Sequence, residues 1–165
     1  MKVIVGSVVK GFALKQALKA HLGREGHEVV DVGCYDTGRF VKYTSVGERV
    51  AAELQRDPQA LAIACCGSGT GAALAAGKFR GVLACSCESV LTARLIRVVN
   101  HANCLCLGEQ VVPPELACQM ADAFLGAAFQ DAPGVPAPVL AFWQEAYAEI
   151  AARGPAAGPR DLETL

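Results

Sequence analysis

Apolar positions follow two rhythms along this chain. Short, near-continuous apolar runs alternate with longer stretches in which apolar residues recur every three or four positions, the mark of helices. Val3-Ile4-Val5 reads as a first strand ending at Gly6-Ser7, and Phe12 to Leu22 as a helix. That helix carries Phe12, Leu14, Ala17, Leu18 and Leu22 on its apolar stripe, with Lys15 and Lys19 opposite. Glu28 to Gly33 is the second strand, Cys34 to Lys42 a polar loop, and Tyr43 to Gln55 the second helix. Ala60 to Cys65 is the third strand. It passes through a glycine-rich turn, Cys66 to Gly71, into a short helix over 72–79. Gly81 to Cys85 and Asn103 to Leu107 are the last strands. Helices follow each of them, Ser89 to Val99 and Pro113 to about Phe129, with proline in the first turn where its missing N–H costs nothing.

Strands that are apolar throughout and separated by helices predict a parallel sheet covered on both faces. The fold class is therefore α/β: a three-layer α/β/α sandwich with a parallel sheet of about five strands, plus an extra C-terminal helix. Residues 1–130 form the domain, 131–138 a proline-rich linker, 139–153 the extra helix and 154–165 a flexible tail. Phe142, Trp143, Tyr147 and Ile150 give the extra helix an apolar stripe that must dock on its own domain or on a neighbouring subunit. In sheets of this kind ligands bind beyond the carboxyl ends of the strands.

Composition narrows the function classes. The 165 residues are 53% apolar, enough for one packed core. Fifteen basic against sixteen acidic residues leave a formal net charge of -1, without the basic excess of a nucleic-acid binder. No apolar run approaches the ~20 residues of a membrane span, and the opening Met1-Lys2-Val3-Ile4-Val5 enters a strand directly, so a cytoplasmic protein is expected. The eight cysteines lie mostly in apolar runs. Their spacing suits neither a zinc site nor a disulfide scaffold, which leaves reduced core thiols for all but Cys66, and no metal. His21 and His27 read as structural or surface histidines.

Cys66-Gly67-Ser68-Gly69-Thr70-Gly71 is the most informative stretch. Alternate glycines permit φ > 0 and leave backbone N–H groups bare, an anion cradle where a strand hands over to a helix. A thiol in that position has its thiolate stabilised. Thiolate and cradle together suit removal of a proton beside a carbonyl and retention of the resulting enediolate. The bland alternative is that the glycines merely permit close helix–sheet packing. A second alternative is a nucleotide-binding module: Gly67, Gly69 and Ala72 satisfy a dinucleotide fingerprint with Glu88 as ribose ligand, but after the third strand instead of the first.

Several strings resemble one family: Gly26 to Gly33, Cys66 to Gly71 with Lys78, Thr92-Ala-Arg94, and Asn100 to Gly108. Pro114 to Ala117 and Asp122 to Leu125 fit as well. Together they resemble the ribose-5-phosphate isomerase B / galactose-6-phosphate isomerase family of sugar-phosphate isomerases, over residues 1 to about 129. The resemblance implies a Rossmann-like sandwich and aldose–ketose isomerisation through a cis-enediol, with no cofactor. It also implies a homodimer or dimer of dimers with active sites shared across the subunit interface. Cys66 matches the family's base and Ser68 the threonine that moves protons between O1 and O2. Gly67, Gly69, Thr70 and Gly71 match the oxyanion amides, Tyr43 a tyrosine lining the sugar site, and Asn100 an asparagine on the opposite wall.

The departures are as informative. The family's aspartate and histidine after strand one are Val8 and Val9; its ring-opening histidine falls on Val99, with His101 two residues on as a candidate donor. Its phosphate-clamping arginines fall near Pro133 and Ala137, and Lys10 is the nearest replacement for the lost charge. Three accounts follow. The chain is an isomerase of a short or open-chain sugar or sugar phosphate, which needs no ring-opening acid. It is a B-type subunit completed by a family paralogue in a hetero-oligomer. Or it is a catalytically impaired homologue kept for ligand sensing or assembly.

Overall fold

The computed structural model describes residues 1–152, so the predicted tail lies outside the described residues. Five strands, Lys2–Ser7 (β1), Glu28–Asp31 (β2), Leu61–Cys66 (β3), Ala84–Ser86 (β4) and Cys104–Gly108 (β5), form one sheet in the order β2-β1-β3-β5-β4. Every adjacent pair is parallel. Helices Phe12–Arg24 (α1), Tyr43–Arg56 (α2), Thr70–Ala76 (α3), Val90–Val98 (α4) and Pro114–Leu125 (α5) connect and follow the strands. A last helix, Ala137–Ala152 (α6), comes after the proline-rich segment and begins inside the predicted linker. No helix among the described residues is long and apolar enough to cross a membrane.

Alternation along the strands divides the core in two. Val3, Val5, Ile63, Cys65, Leu105 and Leu107 point to one face, where they meet Leu14, Leu18 and Leu22 of α1 and Met120 and Phe124 of α5. Ile4, Ala62, Ala64, Cys66, Cys104 and Cys106 point to the other, against Val46, Val50 and Leu54 of α2 and Ala72 and Ala76 of α3. The cysteines outside the glycine turn behave as small apolar side chains. Burial pushes the Cys65 thiol far up, and Cys104 and Cys106, two residues apart, share one face with sulfurs 3.8 Å apart.

Two local readings need correction. Lys15 is not on a solvated face: it is fully buried, and its ammonium donates to both Asp31 carboxylate oxygens (2.7 and 2.9 Å) and to the carbonyls of Gly33 and Cys34 (2.9 and 2.7 Å). Asp31 also accepts from Lys19 at 2.6 Å. Burial alone would raise the Asp31 pKa, but these ammonium groups and the Gly33 N–H outweigh it and hold the carboxyl below its ordinary value. The fourth strand starts at Ala84 instead of Gly81, because the Asn103 side-chain amide takes up the ladder groups before it. Its Oδ1 accepts the Leu83 N–H and its Nδ2 donates to the Gly81 carbonyl. Between β1 and α1 the chain makes a 3-10 turn, Val9–Gly11.

Strand order reverses between β1 and β3, so their carboxyl ends diverge into a crevice. The loops there are Val8 to Gly11 and Gly67 to Gly69.

Candidate active site

The turn that closes β3 is held from the neighbouring strand end. Glu109 and Gln110, just past β5, donate their backbone N–H groups to the Cys66 carbonyl (2.9 Å) and the Gly67 carbonyl (3.0 Å). The turn lies directly on Gly108: a Cβ there would stand 2.6 Å from the Ser68 carbonyl carbon, so only glycine fits without displacement. Gly69 caps α3 with φ +83°, a left-handed conformation that favours glycine, and its N–H points back to the Cys66 sulfur at 3.1 Å. Ser68 and Thr70 hydroxyls are bonded to each other at 2.7 Å on the exposed side of the turn.

Cys66 is 6% exposed, and that small exposure faces a cavity of about 480 Å³ at the strand crossover. Cys66, Gly67, Ser68, Thr70 and Gly71 line one wall, Val8, Val9 and Lys10 a second, and Phe40 to Tyr43 a third. The Tyr43 ring lies across Gly71, 3.3 Å from where a Cβ would be. Thus Lys10, Tyr43, Cys66, Gly67, Ser68, Thr70 and Gly71 come together around one space, and Gly69 supplies the N–H that meets the sulfur. Among the described residues, no group of three or more His, Cys, Asp or Glu side chains is placed to hold a metal ion.

Asn100 and His101 are not brought to this cavity within the chain. They precede β5, whereas Cys66 lies at the carboxyl end of the parallel neighbour β3. Asn100 lines a separate, mostly apolar groove of about 460 Å³ with Phe79, Tyr147 and Ile150. The His101 ring is stacked on Phe129 (centroids 4.6 Å apart, 9° between planes) and meets Tyr147 of α6 at 4.6 Å. Burial, with Arg97 nearby, lowers its pKa. No residue of α6 is buried, and Phe142 and Ile150 stand 66% and 55% exposed.

Lys42, Phe40 and Gln110 also line the Cys66 cavity, and sequence reasoning missed them. Lys42 and Phe40 belong to an aperiodic loop that carries no motif. The available signal was positional: both follow the carboxyl end of a parallel strand, and Gln110 does the same after β5.

Comparison with known proteins agrees with this architecture. The Ribose/Galactose Isomerase family matches residues 3–134. The 4-deoxy-4-sulfo-D-erythrose isomerase of Clostridium sp. (strain MSTE9) is 37% identical over 131 residues, covering 79% of this chain and 82% of that one. Ribose-5-phosphate isomerase B of Escherichia coli (strain K12) is 36% identical over 129 residues, covering 78% and 86%. The structure of Clostridium thermocellum ribose-5-phosphate isomerase B superposes with a TM-score of 0.81 at 33% identity, over 92% of this chain and 96% of the other. With its five-stranded parallel sheet, its glycine turn after β3 and these matches, the chain belongs to the ribose/galactose isomerase family of sugar isomerases.

Proposed function

We propose that the protein interconverts a short, open-chain aldose and its ketose, with Cys66 as the base and no cofactor. The observation that carries this reading is the placement of the Cys66 sulfur: it opens onto a cavity and accepts the Gly69 N–H at 3.1 Å. In the forward step the Cys66 thiolate takes the proton from C2 of the aldose. The C–H electron pair becomes the C1=C2 bond, and the C1 carbonyl oxygen takes up the negative charge beside the amides of 67–71. Ser68, whose hydroxyl is hydrogen-bonded to that of Thr70, carries a proton from O2 to O1 in this scheme. As C2=O forms, C1 recovers the proton held on sulfur. Nothing is oxidised or reduced overall, and the thiolate is regenerated.

The choice of substrate rests on two departures from the family pattern. Val99 stands where the resemblance sets a ring-opening histidine, and Val8 and Val9 make part of the cavity wall apolar. A four-carbon aldose whose C4 carries an anionic group instead of a free hydroxyl cannot close a five-membered ring. It therefore needs no ring-opening acid. The relative at 37% identity is named for such a compound, a 4-deoxy-4-sulfo-tetrose. The substrate class we favour is a tetrose with a terminal sulfonate or phosphate.

Two chains acting together complete the reading. The unburied apolar stripe of α6 and the groove beside Asn100 suit contact with a second copy. The resemblance, which implies active sites shared across the subunit interface, assigns Asn100 and His101 to the partner's cavity in such a contact. The test is solvent deuterium exchange into C4–C6 aldoses, ketoses and their anionic derivatives by wild type, Cys66→Ser and Cys66→Ala. Exchange into an anionic tetrose that disappears in both variants supports the proposal. Exchange that survives Cys66→Ala refutes the base assignment, and a wild type that exchanges with none of these compounds favours the ligand-sensing account.

A further inference from the structure

The described residues lining the Cys66 cavity include no carboxylate and two ammonium groups, Lys10 and Lys42. Both side chains are exposed, and among the described residues neither makes an ion pair. They come from separate elements: Lys10 from the 3-10 turn after β1, Lys42 from the residue preceding α2, whose first turn contains no acidic side chain. An isolated ammonium on a protein surface is unremarkable. Two of them facing one concave space, with the Cys66 sulfur on a third wall and no carboxylate in the lining, are a site for an anion.

We propose that Lys42 and Lys10 together form the subsite for the terminal anion of the substrate, a tetrahedral oxyanion such as sulfonate or phosphate. The inference rests on the reading of the Cys66 cavity as the substrate site and adds the group that selects the substrate. Lys10 springs from beside the glycine turn, since its Cβ would lie 3.9 Å from a Cβ on Gly67. A lysine side chain spans only about four carbons, so an anion held by Lys10 stays close to the sulfur. That geometry favours a short carbon chain between the anion and the reacting carbons. Lysine binds as a point charge and lacks the fork of a guanidinium, so the subsite accepts different tetrahedral oxyanions on charge and size. Arg39 and Arg49, against the one carboxylate of Asp36, line an adjoining hollow that shares Phe40, Val41 and Lys42 with this cavity, so the balance of charge on that side is positive.

The test measures binding and chemistry separately. Inorganic phosphate and methanesulfonate are titrated against the full chain, with slowed alkylation of Cys66 by iodoacetamide and calorimetry as readouts. Expected are protection of wild type, a tenfold or greater loss of affinity in Lys42→Met and in Lys10→Met, and retention within about threefold in Lys42→Arg. Lys78→Met, outside the cavity, keeps wild-type affinity. In turnover, Lys42→Met raises KM for the anionic tetrose with little change in kcat, and leaves KM for neutral erythrulose as it was. Unchanged affinity for both probes in Lys42→Met overturns the inference, as does an equal rise in KM for the neutral ketose. If the probes bind as expected but no deuterium exchange occurs with any sugar, the subsite stands and the isomerase reading falls.

Discussion

The contact between Gly108 and Ser68 is a strict steric requirement at the glycine turn. In Gly108→Ala the new methyl carbon would lie 2.6 Å from the Ser68 carbonyl carbon and 2.8 Å from its Cα and oxygen. Ordinary contact begins at 3.4 Å, so the turn must retreat by about 0.8 Å. The Gly108 backbone is not left-handed, so the effect is displacement and not torsional strain. Overpacking of this kind costs about 1–3 kcal/mol of stability. On the proposed mechanism the larger consequence is catalytic, because the same segment carries Ser68 and the Gly69 N–H that meets the Cys66 sulfur. A misplacement of about 1 Å in a reacting constellation lowers rates roughly a hundredfold, equivalent to about 2.7 kcal/mol of barrier. The assay is kcat/KM from solvent deuterium exchange, with urea unfolding to confirm that the variant folds and Cys66 alkylation rates to follow the sulfur. A folded variant with kcat/KM within threefold of wild type and unaltered alkylation would refute the claim that Gly108 positions the turn.

Further predictions concern the buried and aromatic contacts. Lys15→Met removes a cation that holds Asp31 and two backbone carbonyls, and should cost about 3–5 kcal/mol in urea unfolding. Because the folded-state pKa of Asp31 is depressed, its stabilisation is present above the unfolded value of about 3.9 and is lost as pH falls through the folded value. Thermal melts of Asp31→Asn between pH 3 and 6 should therefore show a shallower acid limb than wild type, and an equally steep limb would count against the assignment. For His101 the folded-state pKa is also depressed, so its contribution is complete above about pH 6.5 and fades as pH drops through the folded value. Amide exchange across 137–152 should quicken over that range in wild type and become pH-insensitive in His101→Phe, beyond the intrinsic pH dependence of exchange.

Where the sequence was legible, a one-dimensional rule sufficed. Apolar runs against helical periodicity located five strands and six helices, because a doubly covered sheet demands apolar side chains on both faces of each strand. Cys66 to Gly71 was legible for a different reason: its alternating glycines describe a backbone conformation directly. Lys15 was misread because helical periodicity marks a lysine as solvated whenever its partners are distant in sequence. Its partners are Asp31 and the carbonyls of Gly33 and Cys34, which only the packing of α1 on the end of β2 reveals. Asn103 shortened β4 by a side-chain substitution for ladder bonds that no propensity encodes.

The sequence by itself determined the class of fold, the strand-to-helix turn that carries the thiol and the family resemblance, since each depends on residues adjacent or regularly spaced along the chain. Only the tertiary structure decided that Lys10, Lys42 and Tyr43 share a cavity with Cys66 while Asn100 and His101 lie apart from it within one chain. The physical reason is the parallel sheet. It gathers the loops at the carboxyl ends of strands far apart in sequence and sends residues that precede a strand to the opposite edge.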